Sequence, residues 1–433
     1  MAWSQEMAVT RPWEGLAAWA IRIVLRPVQI LISVPSLLFL AALAAMLLRH
    51  PDVRFFEIDR VASGLLLLAV VLRGLVRRKE RFHFERATWP MIGLTLLVVV
   101  SVAGQPFDHE TWSLLASKFI VPFAMFHLAA VVFDQEADRR KFEIFAITVL
   151  AYLSFTAIAF FAGMHSLIFP KFILDESLGF HADRARGPLL QAVANGVSLN
   201  ILGLVAVHAY ERAKSKGLLI LLVSLPLAIL ATMTRAVWLA FAGSVFAVFL
   251  RSGRRQRRLV WVLLAGCAGL AVLLSSNTLT QDLRERLEER GPIDYRQAVY
   301  TGGWEMFLER PWLGWGFHQM PSELPRHVTG YQLKVLYPHN TYLELLVEHG
   351  VLGLCLYVWL MWELWRLRGG PIPPGEQRGF LNQNFHRLWP VILCVYWVNA
   401  AVVVMSYQFV NGLLFAMAGM LAGQQRRAGQ AAC

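Results

Sequence analysis

Residues 336–353 read LYPHNTYLELLVEHGVLG, a Pro-His-Asn trio set directly before an apolar run that continues to Trp365. Pro338 biases Tyr337 away from helical backbone, and Asn340 or Thr341 can offer an oxygen to the first free amides of a helix. A helix is therefore expected from about residue 342 to 365, long enough to cross a hydrocarbon core of about 30 Å. His339 stands at its threshold, carried by the chain at a helix start and not by a loose loop.

Working outward, comparable apolar runs fall near 30–48, 58–76, 87–104, 112–133, 142–163, 188–209, 217–233, 235–250, 259–276, 387–404 and 406–423. With 342–365 this predicts an all-α polytopic membrane bundle of about twelve transmembrane helices, with both termini on one side. The chain is 57% hydrophobic and only 16% charged. Its formal charge of +12 lies between the apolar runs and not along one soluble face, which argues for orientation signals and against nucleic acid as a partner. Basic connections recur at alternate positions: RGLVRRKERFHFER (73–86), DRRK (138–141), ERAKSKG (211–217), RSGRRQRR (251–258), the stretch 366–387 and QQRR (424–427). These are expected in the cytoplasm, together with both termini. The stretch 49–60 departs from the rule through Arg49, Arg54 and Arg60, with Asp52, Glu57 and Asp59 balancing them. The first 27 residues lack a cleavable signal pattern and read as an interfacial amphipathic helix through Trp13, Ala17, Ile21 and Ile23. The expected organisation is residues 1–276 as nine spans with short loops, 277–341 as a large outer helical loop, and 342–433 as three spans and a tail.

The outer loop has its own pattern. TQDLRERLEER (280–290) is a polar helix candidate; Gly291 and Pro292 interrupt it, and a second helix resumes with Ala298, Trp304, Met306 and Phe307 as its apolar set until Pro311. WLGWGFHQM (312–320) suits the membrane interface.

Several side chains could carry chemistry on this outer face. A neutral imidazole at His339 can accept a proton from a hydroxyl, or simply bond a loop carbonyl. Arg184 and Arg186 in HADRARGP (181–188), Arg235 at the start of a span and Arg296 in the long loop offer forked donors for phosphate oxygens; snorkelling or ordinary solvation is the competing role. Lys118 within an apolar run either snorkels or attracts phosphate. Glu344 and Glu348 share a helix face, where one could orient an imidazole, bind a sugar hydroxyl or pair with an arginine. The outer loops hold no Asp-x-Asp pair and no His spacing suited to zinc, and the four cysteines form no Cys-x-x-Cys motif. No metal and no cofactor is expected.

His339-Asn340, nine residues, then Gly350-x-x-Gly353 resembles the O-antigen ligases and the wider superfamily they share with O-antigen polymerases and pilin-glycosylating oligosaccharyltransferases. TRAVWLAF (234–241) resembles the arginine-led segment of that family, and Arg296, Trp304, Pro311, Gly314 and Gly316 its loop run. The resemblance spans about Arg184 to Gly353. It implies a glycosyltransferase of GT-C-like architecture in the bacterial inner membrane, with its active site facing the periplasm. It implies undecaprenyl-pyrophosphate-linked glycan as donor, a sugar hydroxyl of lipid A-core as acceptor, and inverting, metal-independent transfer. Carried over, His339 is the general base and Arg184, Arg186, Arg235 and Arg296 hold pyrophosphate, with Asn340, Glu344 and Lys118 as possible support. Polymerisation of lipid-linked repeat units remains the alternative, and transport of the lipid-linked glycan a second one.

Overall fold

Single side chains set where the helices begin. Asn340 accepts from the amides of Tyr342 (2.9 Å) and Leu343 (3.1 Å). Asp108 does the same for Glu110 and Thr111, and Asn382 for Asn384 and Phe385. A computed structural model describes residues 31–50, 58–77, 84–179, 181–251, 291–328 and 336–432, together with Arg26, Gln29 and Gly330. Its main helices are α1 (Pro35–Leu47), α2 (Ile58–Arg77), α3 (Thr88–Ala103), α4 (His109–Val132), α5 (Glu136–Phe161) and α6 (Ala192–Ala213). They continue as α7 (Lys216–Leu230), α8 (Arg235–Arg251), α9 (Gly291–Glu309), α10 (Thr341–Arg366), α11 (Gln383–Ala400) and α12 (Gln408–Ala432). A π-helical turn, Ala116–Ile120, interrupts α4. No strand occurs among the described residues.

The connections sort to two ends. At one, Glu376 accepts from Arg139 (2.7 Å) and Arg427 (3.2 Å), Gln424 bonds His386, and Glu143 pairs with Arg212, so 136–143, 212, 366–387 and 424–427 meet. At the other, Phe317 N donates to Ser101 Oγ (2.8 Å), Gln319 bonds Gln105, and Ala185 N donates to Ala231 O (3.1 Å). There too the Thr341 hydroxyl donates to Val403 O and accepts from Met405 N. The alternation of basic and less basic connections in the sequence therefore corresponds to a physical separation. Arg49, one of the three arginines that depart from the charge rule, pairs with the buried Asp59 at 3.6 Å.

Between the ends, α12 packs along α4, α10 on α3, and α8 on α11, around a core that includes Phe126, Trp389, Leu413 and Phe409. The segment before α10 has a smaller core of its own, where Val299 and Met306 of α9 meet Met320, Leu324, Leu336 and Val347. Met306 is thus buried as expected, whereas Trp304 is half exposed, on the opposite side of α9.

Eleven of the twelve expected runs coincide with a helix. The run 259–276, the polar helix 280–290, the N-terminal helix and the basic stretch 252–258 lie outside the described residues. Four described helices are long and apolar enough to cross a membrane: α4, α5, α6 and α10 with its extension to Gly369. Four shorter apolar helices accompany them. The apolar run 30–48 is not one helix: residues 31–33 are helical, Val34 breaks the pattern, and α1 begins at Pro35, its 13 residues rising only about 20 Å.

The largest departure from a regular helix is inside α10. Gly350 has φ +62° and ψ −164°, a region open essentially to glycine alone. The break frees amides and carbonyls that residues 311–316 take up. Val351 N donates to Pro311 O (2.8 Å), while Trp315 N and Gly316 N donate to Val347 O and Glu348 O, each at 2.9 Å. A Cβ on Gly350 would overlap the Trp312 carbonyl, and one on Gly314 (φ +70°) the Glu348 carbonyl. Gly→Ala inside an ordinary helix stabilises by about 1 kcal/mol. Gly350→Ala should do the reverse, costing about 3 kcal/mol through strain and separation of the two backbones. Thermal unfolding in detergent measures it, and an unchanged or raised midpoint would show that the two backbones are not so closely docked.

Candidate functional site

His339 occupies the left-handed region at φ +47°, between Pro338 and the capping Asn340. For a non-glycine residue this conformation costs about 1–2 kcal/mol, so the surroundings must impose it. Tyr295 of α9 does much of this. Its hydroxyl accepts from Tyr337 N and faces Tyr337 O, both at 3.2 Å, and its ring lies edge-on to the His339 imidazole with centroids 5.9 Å apart. Arg296 follows on the same helix and is half-buried. Burial lowers the His339 pKa below its ordinary value, and the charges of Arg296 and His181 add to that. The imidazole is accordingly neutral at neutral pH and available as a proton acceptor.

His181 opens the HADRARGP stretch and also has positive φ, +56°. Arg184 N donates to His181 O at 3.1 Å, which closes the turn. The Arg184 side chain is 15% exposed, with Nε 3.6 Å from Asp183. Ala185 is clasped on both sides: its amide bonds Ala231 O, and its carbonyl accepts from Asn195 Nδ2 at 2.8 Å. That contact seats the stretch against the turn 231–235, whose last residue, the half-buried Arg235, begins α8. The structure thus brings His339, Arg296, His181 and Arg184 to one end of the bundle, with Arg235 on the adjoining turn.

Arg186 and Lys118 are placed differently. Arg186 is 1% exposed and its guanidinium donates to three backbone carbonyls, Ile173 (3.0 Å), Asp175 and Leu178. It staples the loop 163–190 from inside, so its donors are committed to the protein and not offered to a phosphate. Lys118, on the π-turn of α4, pairs with Glu344 at 2.9 Å, both side chains being 11% exposed. The structure thus gives Glu344 a lysine, which is not among the partners suggested by its sequence position, and not a loop arginine. Asn340 serves as the cap, and Thr341 ties α10 to residues 403–405. Among the described residues, no group of three or more His, Cys, Asp or Glu side chains converges to hold a metal ion.

Sequence reasoning overlooked two residues beside His339. Tyr295 was visible only as a neighbour of Arg296, and His181 only as the first letter of the arginine stretch. Their sequence separations carry no signal; contact alone reveals them.

A helical membrane protein with a polar, arginine-bearing end is the class these features define. Within it, residues 218–358 match the family model described as O-antigen ligase, so that about a third of the chain is similar to that family. The matched stretch includes Arg235, Arg296, Gly314, His339 and Gly350. Function of the O-antigen ligase or polymerase type is what the family suggests. No curated protein matches the chain.

Arg186→Met keeps the apolar stem and removes every donor. Hydrogen bonds from a charged group contribute about 1.5–3 kcal/mol each, and the three carbonyls would be left buried. Amide exchange across residues 173–178 should accelerate about a hundredfold, which corresponds to about 2.7 kcal/mol of local stability. Unchanged exchange would mean that the loop does not depend on this arginine.

Proposed function

We propose that the chain is a ligase of the bacterial inner membrane that moves a glycan from undecaprenyl pyrophosphate to a sugar hydroxyl of lipid A-core. The acceptor oxygen attacks the anomeric carbon from the face opposite the pyrophosphate, His339 takes the hydroxyl proton, and the carbon–oxygen bond to pyrophosphate breaks with inversion. Undecaprenyl pyrophosphate leaves with the electron pair, the growing charge on its phosphate oxygen offset by Arg184, Arg235 and Arg296. Arg186 acts on that site only by shaping the loop that carries Arg184. In this reading about twelve spans in a GT-C-like arrangement keep both termini in the cytoplasm and turn the His339 end to the periplasm, where both lipid-anchored substrates arrive from the bilayer.

One observation carries the proposal: a half-buried imidazole is held neutral, in a backbone conformation it would not choose, beside Arg296. A neutral base next to fixed cations suits abstraction of a hydroxyl proton near an anionic leaving group.

Reconstitution of the purified chain with lipid A-core and undecaprenyl-pyrophosphate glycan, without divalent metal, tests the reading. His339→Ala should lower transfer by about 10²–10⁴-fold with the helical content intact. Equal transfer would remove His339 from the chemistry, and transfer solely onto a second polyprenyl-linked unit would make the chain a polymerase.

The pH dependence has a definite sign. A base must be unprotonated, and the folded-state pKa of His339 lies below the ordinary imidazole value of about 6.5. Activity should therefore persist below that pH and fall only as acidity passes through the depressed value. Removing the neighbouring charge in Arg296→Gln should move this acid limb upward, towards the ordinary value. A limb that does not move in kcat/KM profiles would show that Arg296 does not act on His339.

A further inference from the structure

Deep to the His339 end, α3, α4, α10, α11 and α12 line a cavity of about 40 Å³. Its polar lining includes Lys118 from the π-turn of α4, Glu344, Glu348, His349 and Tyr357 from α10, and Tyr396 from α11, with Thr341 and Asn411 beside them. Phe317 also lines it, stacked on His349 at 5.9 Å and lying under the Lys118 ammonium at 5.5 Å. Neither His339 nor the candidate phosphate-binding arginines enter this wall.

The cavity holds more acid than base. Among the described residues Lys118 is the one ammonium in its lining, and it is bonded to Glu344 at 2.9 Å. Glu348, one turn further along α10, is 2% exposed. The backbone amides of His318 and Met320 face its carboxyl group, yet Oε1 has no hydrogen-bond partner. His349 is 1% exposed and its Nε2 has none either. Among the described residues no arginine lines the cavity; His318, on the adjoining segment 317–320, lies in the field of Lys118, Glu110, Glu344 and Asp108. One cation can balance one carboxylate, and a second unbalanced carboxylate beside the first is strongly disfavoured away from water.

We propose that this cavity binds water and one exchangeable proton, the proton residing on Glu348. About three or four waters fit by volume, since each needs roughly 10–15 Å³ of such space and two to four polar partners. The protonated carboxyl keeps one oxygen on the amides of His318 and Met320 and donates through Oε1–H to a water. That water reaches His349 Nε2, and the Tyr357 and Tyr396 hydroxyls complete the shell. The cluster is then neutral overall, with Lys118 and Glu344 as an ion pair and Glu348 as an acid. Glu348 holds the segment 317–320 against α10 without adding charge to the helix interior.

Infrared spectroscopy of the full chain in lipid nanodiscs tests this directly. The wild-type protein at neutral pH should show a carboxylic-acid C=O band that shifts in heavy water and is lost in Glu348→Gln. Lys118→Met should gain a second such band, because Glu344 then loses its counter-ion. Isotopically labelled glutamate shifts the band in the unmutated chain, so an assignment to Glu survives even if Glu348→Gln does not fold. A Glu348→Gln spectrum identical to wild type would mean that Glu348 is ionised and overturns the proton. A band indifferent to heavy water would mean a sealed, dry cavity and overturns the water.

Discussion

The backbone exchange at the break in α10 is the constraint on which the rest of the arrangement depends. A helix interrupted inside a membrane bundle exposes amides and carbonyls that lipid cannot satisfy. Here they bond to residues 311–316, through Val351 N to Pro311 O and through Trp315 N and Gly316 N to Val347 O and Glu348 O. Such pairing leaves little freedom, because backbone bonds fix both distance and direction. The segment 311–316 is therefore one body with α10, and α9, which ends at Glu309, is tethered to it by a single residue. Val299 and Met306 of α9 then pack against Val347 of α10, so the position of Arg296 relative to His339 follows from the same docking.

This dependence explains which parts of the site were legible in the sequence. Pro338, His339 and Asn340 announce a helix start by local rules, and the structure gives Asn340 the capping role. The alternation of basic connections is also local information, and it sorts the loops to two ends. By contrast, Gly350 reads in sequence as part of a spacing motif, while its physical reason is the carbonyl of Trp312. The partner of Glu344 is Lys118, far earlier in the chain, and no periodicity joins them. Arg186 shows the limit most clearly. Its residue type and position match those of Arg184, yet a difference of two residues turns one guanidinium into the loop interior and leaves the other partly exposed.

Strain and charge are distributed accordingly. Left-handed backbone at His181, Met233 and His339 occurs in three different connections that converge at the same end. Each sits beside a candidate phosphate-binding arginine, either two or three residues away in sequence or, for His339, across the contact with α9. A tightly turned backbone lets these arginines emerge from connections seated by buried contacts such as Ala185 with Ala231 and Asn195. Groups fixed before a ligand arrives stabilise charge more effectively than groups that must first be ordered.

Under the proposed chemistry, Arg296 has two effects on His339 that oppose each other until the donor binds. Alone, its charge keeps the imidazole unprotonated, which preserves the acceptor form but makes it a weaker base. A pyrophosphate beside Arg296 offsets that charge, and the negative field raises the affinity of His339 for a proton. The imidazole thus becomes a stronger base as the leaving group takes its place. A base whose strength depends on the donor couples deprotonation of the acceptor to the presence of something to attack. It also gives a reason for seating a histidine in the field of an arginine, where a lone base would otherwise be poorly placed.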